Sequence, residues 1–449
     1  MNKFKSTLSI LWLMSRPAPG NKAVVALPAT AFALVTALLL IVLAGAMSFF
    51  TNPVIDENPD LGGTYQMLAA FALALLVLPL LTLGGSAARL SARRRDERLS
   101  TLRLLGGTPA LVAVLTVIES TLVALLGVLA GIVLYAVTLP AIALIHFQGK
   151  ALGLANLWLS PGILLLAAAT LILLAAVSAA VGLRQVVLSP LGVRTRQQAP
   201  TVHWRRLALG AGAVVVLYLL MSNLTASGSL AVIIVVIVAV FAAGLALLNL
   251  MGPFVLKWVA GRGLRKAQTP EKLLAARSIL ESPKAAWRQV SSLSMTSFIA
   301  VVAGTGLALL NSVGEAQSTA DELLFTDMRT GVLITVVVSF LLVAASAGVN
   351  QAAAILDRQE LYVSLDRLGM PRSVMDAARK RAVLSPVRIV TVGSAVIAGV
   401  LLFPLTGMAM IFAPLSLVVI AGVLASGIGL VWLGLAASKP VLDKVLAAS

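Results

Sequence analysis

Residues 91–107 read SARRRDERLSTLRLLGG and lie between two long apolar stretches. Arg93, Arg94, Arg95 and Arg98 surround the acidic pair Asp96 and Glu97; Leu99, Leu102 and Leu105 then recur at helical spacing, and Gly106 and Gly107 follow. A charged helix with one apolar stripe wants a partner, and a glycine can end it by taking the left-handed backbone that reverses the chain. The chemistry on offer is therefore docking. Covalent chemistry has few candidates. There is no cysteine, which excludes disulfides, thiol nucleophiles and thiolate metal sites. The two histidines, His146 and His203, fall in connections expected on opposite sides of a membrane, so they form no metal cluster. No Gly-rich loop ending in Lys-Ser/Thr occurs, so ATP has no phosphate cradle in this chain. Glu119 is the one carboxylate inside an apolar run, and an ionisable residue within a membrane segment is by default a functional candidate. Its run, Leu111–Ile145, would measure over roughly 50 Å as a helix at 1.5 Å per residue. The first turns then project beyond the bilayer, and Glu119 is expected to pair with an arginine of the preceding segment; a gating role is the alternative.

The elements that must position these residues are membrane helices. Of the 449 residues 59% are hydrophobic and 11% charged, against roughly 25% charged in globular chains, and the mean hydropathy is +1.02. Ten apolar runs are long enough, or nearly so, to cross a hydrocarbon core about 30 Å thick: Ala23–Phe50, Met67–Leu90, Leu111–Ile145, Ile163–Leu183, Leu207–Met221, Leu230–Leu256, Val290–Leu310, Val332–Leu356, Ile389–Thr406 and Ile411–Leu435. Strand-length alternation is absent, which argues against a barrel. The first run is far longer than the core of a cleaved signal peptide, so it is expected to remain as a helix. The fold class expected is an all-α integral membrane protein of about ten spans.

Basic residues near span ends stay in the cytoplasm. With the N-terminus inside, Lys150 and Arg329 are the basic residues left outside, while Asp56, Glu57, Asp60, Glu315, Asp321, Glu322 and Asp327 lie there too. Both termini are thus expected in the cytoplasm. The longest outer connections, 51–66, 146–162 and 311–331, hold about 15–20 residues each, leaving no room for a large extracellular domain. The net charge of +17 punctuates spans instead of gathering on one soluble face, so nucleic acid is not the expected partner; membrane lipid is. Two basic, proline-bearing connections, 189–207 and 261–289, divide the spans into four, two and four. Three divisions follow: 1–188, 189–260 and 261–449.

The docking-like segment recurs. A shift of 263 residues (358 − 95) superposes Arg95 on Arg358, Glu97 on Glu360, Leu102 on Leu365, Leu105 on Leu368 and Gly106 on Gly369. Each copy follows the second span of its quartet and precedes the third. In the second copy Leu361, Leu365 and Leu368 form the stripe. A basic loop obeying charge rules alone accounts for none of the repeated Arg-x-Glu, leucine spacing and terminal Leu-Gly.

These features resemble the FtsX-like permease domain of ABC transporters, a family that includes the MacB, LolE and Bce-type permeases. There a basic stretch, Glu, a short amphipathic helix and Leu-Gly-Ala lie between the second and third spans; here the final alanine is replaced by Gly107 and Met370. The resemblance extends through both quartets. It implies a non-catalytic membrane subunit with an internal pseudo-two-fold repeat, served by two cytoplasmic ATPase subunits that bind ATP and Mg. It also implies a bacterial inner-membrane location and export or extraction of an amphiphile: a lipid, a hydrophobic peptide or a drug. Residues Arg95, Glu97, Arg98, Leu102, Leu105 and Gly106, with Arg358, Glu360, Leu365, Leu368 and Gly369, would then contact the ATPases. The 4+2+4 layout looks like the bacitracin-type resistance permeases, whose large outer domain is replaced here by 311–331. The alternative implied by the family is a scaffold that transmits ATPase motion outward and moves no solute. A secondary transporter would want charges at mid-membrane, which the spans lack apart from Glu119.

Overall fold

The computed structural model describes residues 22–51, 109–187, 230–313, 319–403 and 414–447, with scattered positions in 62–87, 208–219 and 406–411. Its elements are α1 (Lys22–Thr51), α2 (Pro109–Ile142), β1 (His146–Phe147), β2 (Lys150–Ala151), α3 (Leu154–Leu157), α4 (Pro161–Val187), α5 (Leu230–Arg265), α6 (Pro270–Glu281), α7 (Pro283–Val313), α8 (Thr319–Asp357), α9 (Gln359–Arg367), α10 (Arg372–Leu401), α11 (Pro414–Ala436) and α12 (Lys439–Ala447). The described positions between 62 and 87 are helical as well. Seven of the described helices are long and apolar enough to cross a bilayer, so this is an all-α membrane protein. The chain divides into two compact units: residues 1–196 with 349–357, and residues 197–348 with 358–449.

In the first unit α1 packs lengthwise on α2, and α2 on α4. Lipid tails are as apolar as leucine, so helices associate in a membrane through close contact of small residues and not through burial alone. The sequence GVLAG at 127–131 supplies that contact. A Cβ on Gly127 would lie 2.5 Å from the Phe32 Cβ, and one on Gly131 would lie 2.5 Å from the Thr36 Cβ. Beyond the membrane-length part of α2 the chain makes a small hairpin pairing His146 with Ala151 and Phe147 with Lys150. Its turn residues Gln148 and Gly149 both have positive φ, 54° and 71°, the geometry of a two-residue hairpin turn whose twist suits the flanking strands. This ordered hairpin stands where the sequence suggests only an outer loop. Tyr135 holds the connection down: its hydroxyl donates to the Leu157 carbonyl oxygen at 2.6 Å and accepts from the Leu159 amide at 3.3 Å. Leu40, Leu139, Leu157 and Leu159 bury the ring.

In the second unit α7 packs on α10, and α11 packs on both of them. Small residues again set the approach. A Cβ on Gly427 would fall inside the Phe340 ring's contact distance at 2.1 Å, and one on Gly434 would lie 2.4 Å from the Ala344 carbonyl oxygen. Gly348 meets the Gly434 carbonyl in the same crossing, so the ASAG stretch at 345–348 is a packing surface. Helix α5 joins this unit against α7. The Trp287 indole lies flat on Gly252, where a Cβ would sit 2.2 Å from the ring, and its Nε1–H donates to Asn249 Oδ1 at 2.9 Å. Asn249 is thereby satisfied by a neighbouring helix, the usual fate of an amide among membrane helices.

Three boundaries differ from those read in the sequence. Helix α5 runs on to Arg265, α6 occupies much of the basic connection 261–289, and α10 starts at Arg372, well before Ile389. The cause is common to all three. Charged turns that have no hydropathy signal still bury a narrow apolar edge: Ala275, Ala276 and Ile279 on α6, Met375 and Ala378 on α10.

The crossing of α8 and α11 yields a direct test. Gly434→Ala and Gly429→Ala gain the same helix propensity, about 1 kcal/mol, but a Cβ at 429 meets nothing within 4 Å. Thermal unfolding in detergent should show Gly429→Ala unchanged or stabilised, and Gly434→Ala destabilised by about 1–3 kcal/mol from overpacking. Equal melting of the two variants would show that the backbone approach is not needed.

Candidate functional site

The second docking-like segment is helix α9 with its flanks, at the charged end of the second unit. Arg358 caps it, Glu360 lies in its first turn, and Arg367 in its last. The stop is built as the sequence suggests. Gly369 has φ 82°, its amide donates to the Asp366 carbonyl at 2.9 Å, and the Met370 amide donates to the Leu365 carbonyl at 3.0 Å. This pair of reversed bonds satisfies two carbonyls left over at a helix end, and the left-handed residue between them is costly for anything but glycine. Pro371 then prevents continuation and begins the entry into α10.

The outward face is part apolar and part charged. Leu361 is 51% exposed and Leu368 82% exposed, and Glu360, Ser364 and Arg367 share their side of the helix. Leu365 is half-buried, as are Tyr362 and Val363, and these form the inner side. The expected stripe of three leucines is thus divided: Leu361 and Leu368 face away from the unit while Leu365 holds the helix to it.

Charged contacts seat the helix on three neighbours. Arg358 reaches Glu281 of α6 at 3.7 Å, with both groups largely exposed. Asp366 receives Nε and Nη2 of Arg372, each at 3.3 Å, and the same Nη2 donates to the Leu446 carbonyl of α12 at 3.4 Å. Leu442 and Leu446 are buried one turn apart, giving α12 an inner edge, and α12 packs on α9. Below lies a buried ion pair. Asp376 accepts from Arg379 at 2.6 Å and from Lys380 at 2.7 Å, and Arg379, its side chain only 3% exposed, also donates to Ser438 Oγ at the end of α11. Burial pushes the Tyr362 phenol above its usual range, against the pull of Arg379 and then Arg358, so the ring belongs to this cluster. Arg381 reaches Glu271 of α6 at 3.6 Å.

Sequence reading missed the part played by Asp376, Ser438 and α12. The i, i+3 and i, i+4 spacing of Asp376 with Arg379 and Lys380 was the available signal; the contact to Ser438 spans 59 residues and had none. The first copy, with Arg95, Glu97, Arg98, Leu102, Leu105 and Gly106, lies outside the described residues. Glu119 is half-buried one turn or so into the membrane-length part of α2. Among the described residues no three His, Cys, Asp or Glu side chains are grouped to hold a metal ion. The arrangement presents an exposed apolar and charged surface backed by a buried ion pair.

In comparisons with known proteins, no family model, no curated protein and no solved structure matches the chain.

Removing one partner of a buried ion pair strands the other charge and costs about 3–5 kcal/mol, whereas an exposed pair contributes about 1 kcal/mol or less. Asp376→Asn should therefore lower the unfolding midpoint in detergent far more than Glu281→Gln. Comparable small shifts would mean that Arg379 finds other counter-charge.

Proposed function

We propose that the chain is the membrane subunit of an ABC transporter of the FtsX-like kind, with ten spans arranged 4+2+4 and both termini in the bacterial cytoplasm. Two separate ATPase subunits would bind ATP and Mg and dock on residues 95–107 and 358–370. Their motion would drive export or extraction of an amphiphilic molecule. The observation that carries this reading is helix α9: short, charged, stopped sharply at Gly369, and presenting Leu361 and Leu368 uncovered between two membrane-length helices. An apolar pair on a charged surface is disfavoured unless something covers it. The matched helix pairings of the two units, first on third and third on fourth, support a duplicated design in which each half carries one docking element.

Tagged chain drawn from its native membranes should yield, by intact mass in detergent, one copy with two copies of one ATPase. Two copies of the chain with two ATPases, or chain free of any ATPase, would overturn the reading. Reversing both glutamates, Glu97→Arg with Glu360→Arg, should abolish that association without loss of membrane insertion, because Glu360 is exposed and reversal there costs the fold little. Retained association in the double variant would remove 95–107 and 358–370 from the docking role.

A further inference from the structure

From the order of residues along one face of α5 we infer a binding site for an anionic glycerophospholipid of the surrounding bilayer. The face grades from apolar to aromatic to cationic within five turns. Leu250 is 43% exposed and Trp258 52% exposed; Lys257 stands beside Trp258, and Arg262, Arg265 and Lys266 follow, all exposed. Trp258, Arg262 and then Arg265 or Lys266 recur at i, i+4 and i+7 or i+8, so they line one side of the helix. The membrane-length part of α5 ends at Arg265. That sequence of chemistries matches a lipid molecule laid along the helix: acyl chain by Leu250, glycerol by the indole, phosphate by the cations.

Two further observations select an anionic occupant. The Arg262 guanidinium lies over the Trp258 ring, 3.5 Å from its centre. Stacking occupies the faces of the guanidinium and leaves its edge N–H groups to donate to a phosphate. Neither Asp nor Glu occurs from Leu230 to Pro270, and Glu271 is engaged by Arg381. Among the described residues none of Lys257, Arg262, Arg265 and Lys266 has a carboxylate within ion-pair distance. Four cations at the end of a membrane helix, with no carboxylate among the described residues in ion-pair reach, are complementary to anionic headgroups and not to zwitterionic ones.

The test uses the full chain in vesicles of phosphatidylcholine or of equal parts phosphatidylcholine and phosphatidylglycerol, with bromine on the acyl chains of one lipid at a time. Subtracting the emission of Trp258→Phe isolates the Trp258 signal. Brominated phosphatidylglycerol should quench that signal several-fold more than brominated phosphatidylcholine at the same fraction, and added salt should narrow the gap. Arg262→Gln, Arg265→Gln and Lys266→Gln together should erase the preference, because each cation near the surface adds to the attraction for anionic lipid. Equal quenching by the two lipids in the natural chain overturns the site, as does a preference that survives the triple substitution. If soluble glycerophosphate displaces the lipid at matched ionic strength, the cations serve a free phosphate and the lipid assignment falls.

Discussion

Close approach of a neighbouring helix or ring to a glycine backbone is the contact on which the rest of this structure depends. A leucine moved from lipid to a helix interface exchanges one apolar neighbour for another, so apolar character alone orders nothing inside the bilayer. Gly127 and Gly131 bring α2 onto Ala29, Phe32, Ala33 and Thr36 of α1. Gly427 and Gly434 do the same for α11 on Phe340, Ala344 and Gly348 of α8, and Gly252 does it for the Trp287 ring. Each crossing is fixed to a fraction of an ångström because any side chain at those positions would overlap carbonyl or ring atoms. With the helices so located, their ends are located too, and the ends are where the charged residues stand.

At the charged end of the second unit a different balance holds. Arg379 is buried with Asp376 and Ser438, and its Nε has no hydrogen-bond partner among the described residues. Asp376 and Arg379 stand on the same helix, so the register of α10 against the end of α11 is set by the bond from Arg379 to Ser438 Oγ. Losing that bond would leave a buried guanidinium donor unpaired, which costs more than the bond itself contributes. Arg372 extends that register outward, since it bonds both Asp366 of α9 and the Leu446 carbonyl of α12. Helix α9 is held by long-range contacts as well as by the two membrane helices that flank it in the chain.

The legible part of the fold was the part written in short-range pattern. Apolar length located the seven described helices of membrane-crossing length, and Leu-Gly followed by Pro located the end of α9, because the reversed bonds of Gly369 and Met370 depend on residues within one turn. The boundaries of α5, α6 and α10 were illegible to hydropathy: their charged turns bury only a narrow edge, such as Ala275, Ala276 and Ile279 on α6 and Met375 and Ala378 on α10. The division of the leucine stripe was also hidden. Periodicity says that Leu361, Leu365 and Leu368 share a side, but only the placement of α10 and α12 decides that Leu365 turns inward while Leu368 remains uncovered. The membrane-edge face of α5 was half legible, its cations plain in the sequence and the stacking of Arg262 on Trp258 not.

The contacts around α9 also separate the two halves of the chain. Applying the 263-residue offset that aligns the docking segments, Asp376 falls on Ala113, Arg379 on Thr116, Lys380 on Val117, Arg372 on Pro109 and Tyr362 on Leu99. None of these can form the pairs seen in the second unit, so the clamp made by Arg372, Asp376, Arg379 and Ser438 is specific to the second copy. Glu119 stands opposite this, with Ala382 at the corresponding place. The two segments share Arg-x-Glu and Leu-Gly in sequence, while the residues that support the second have no match at the same offset. Under the proposed reading, two identical ATPases would meet similar faces but push on unequal mountings. In the second half a push would pass through Arg379 and Ser438 to the fourth membrane helix of the quartet, and in the first half it must travel through other residues.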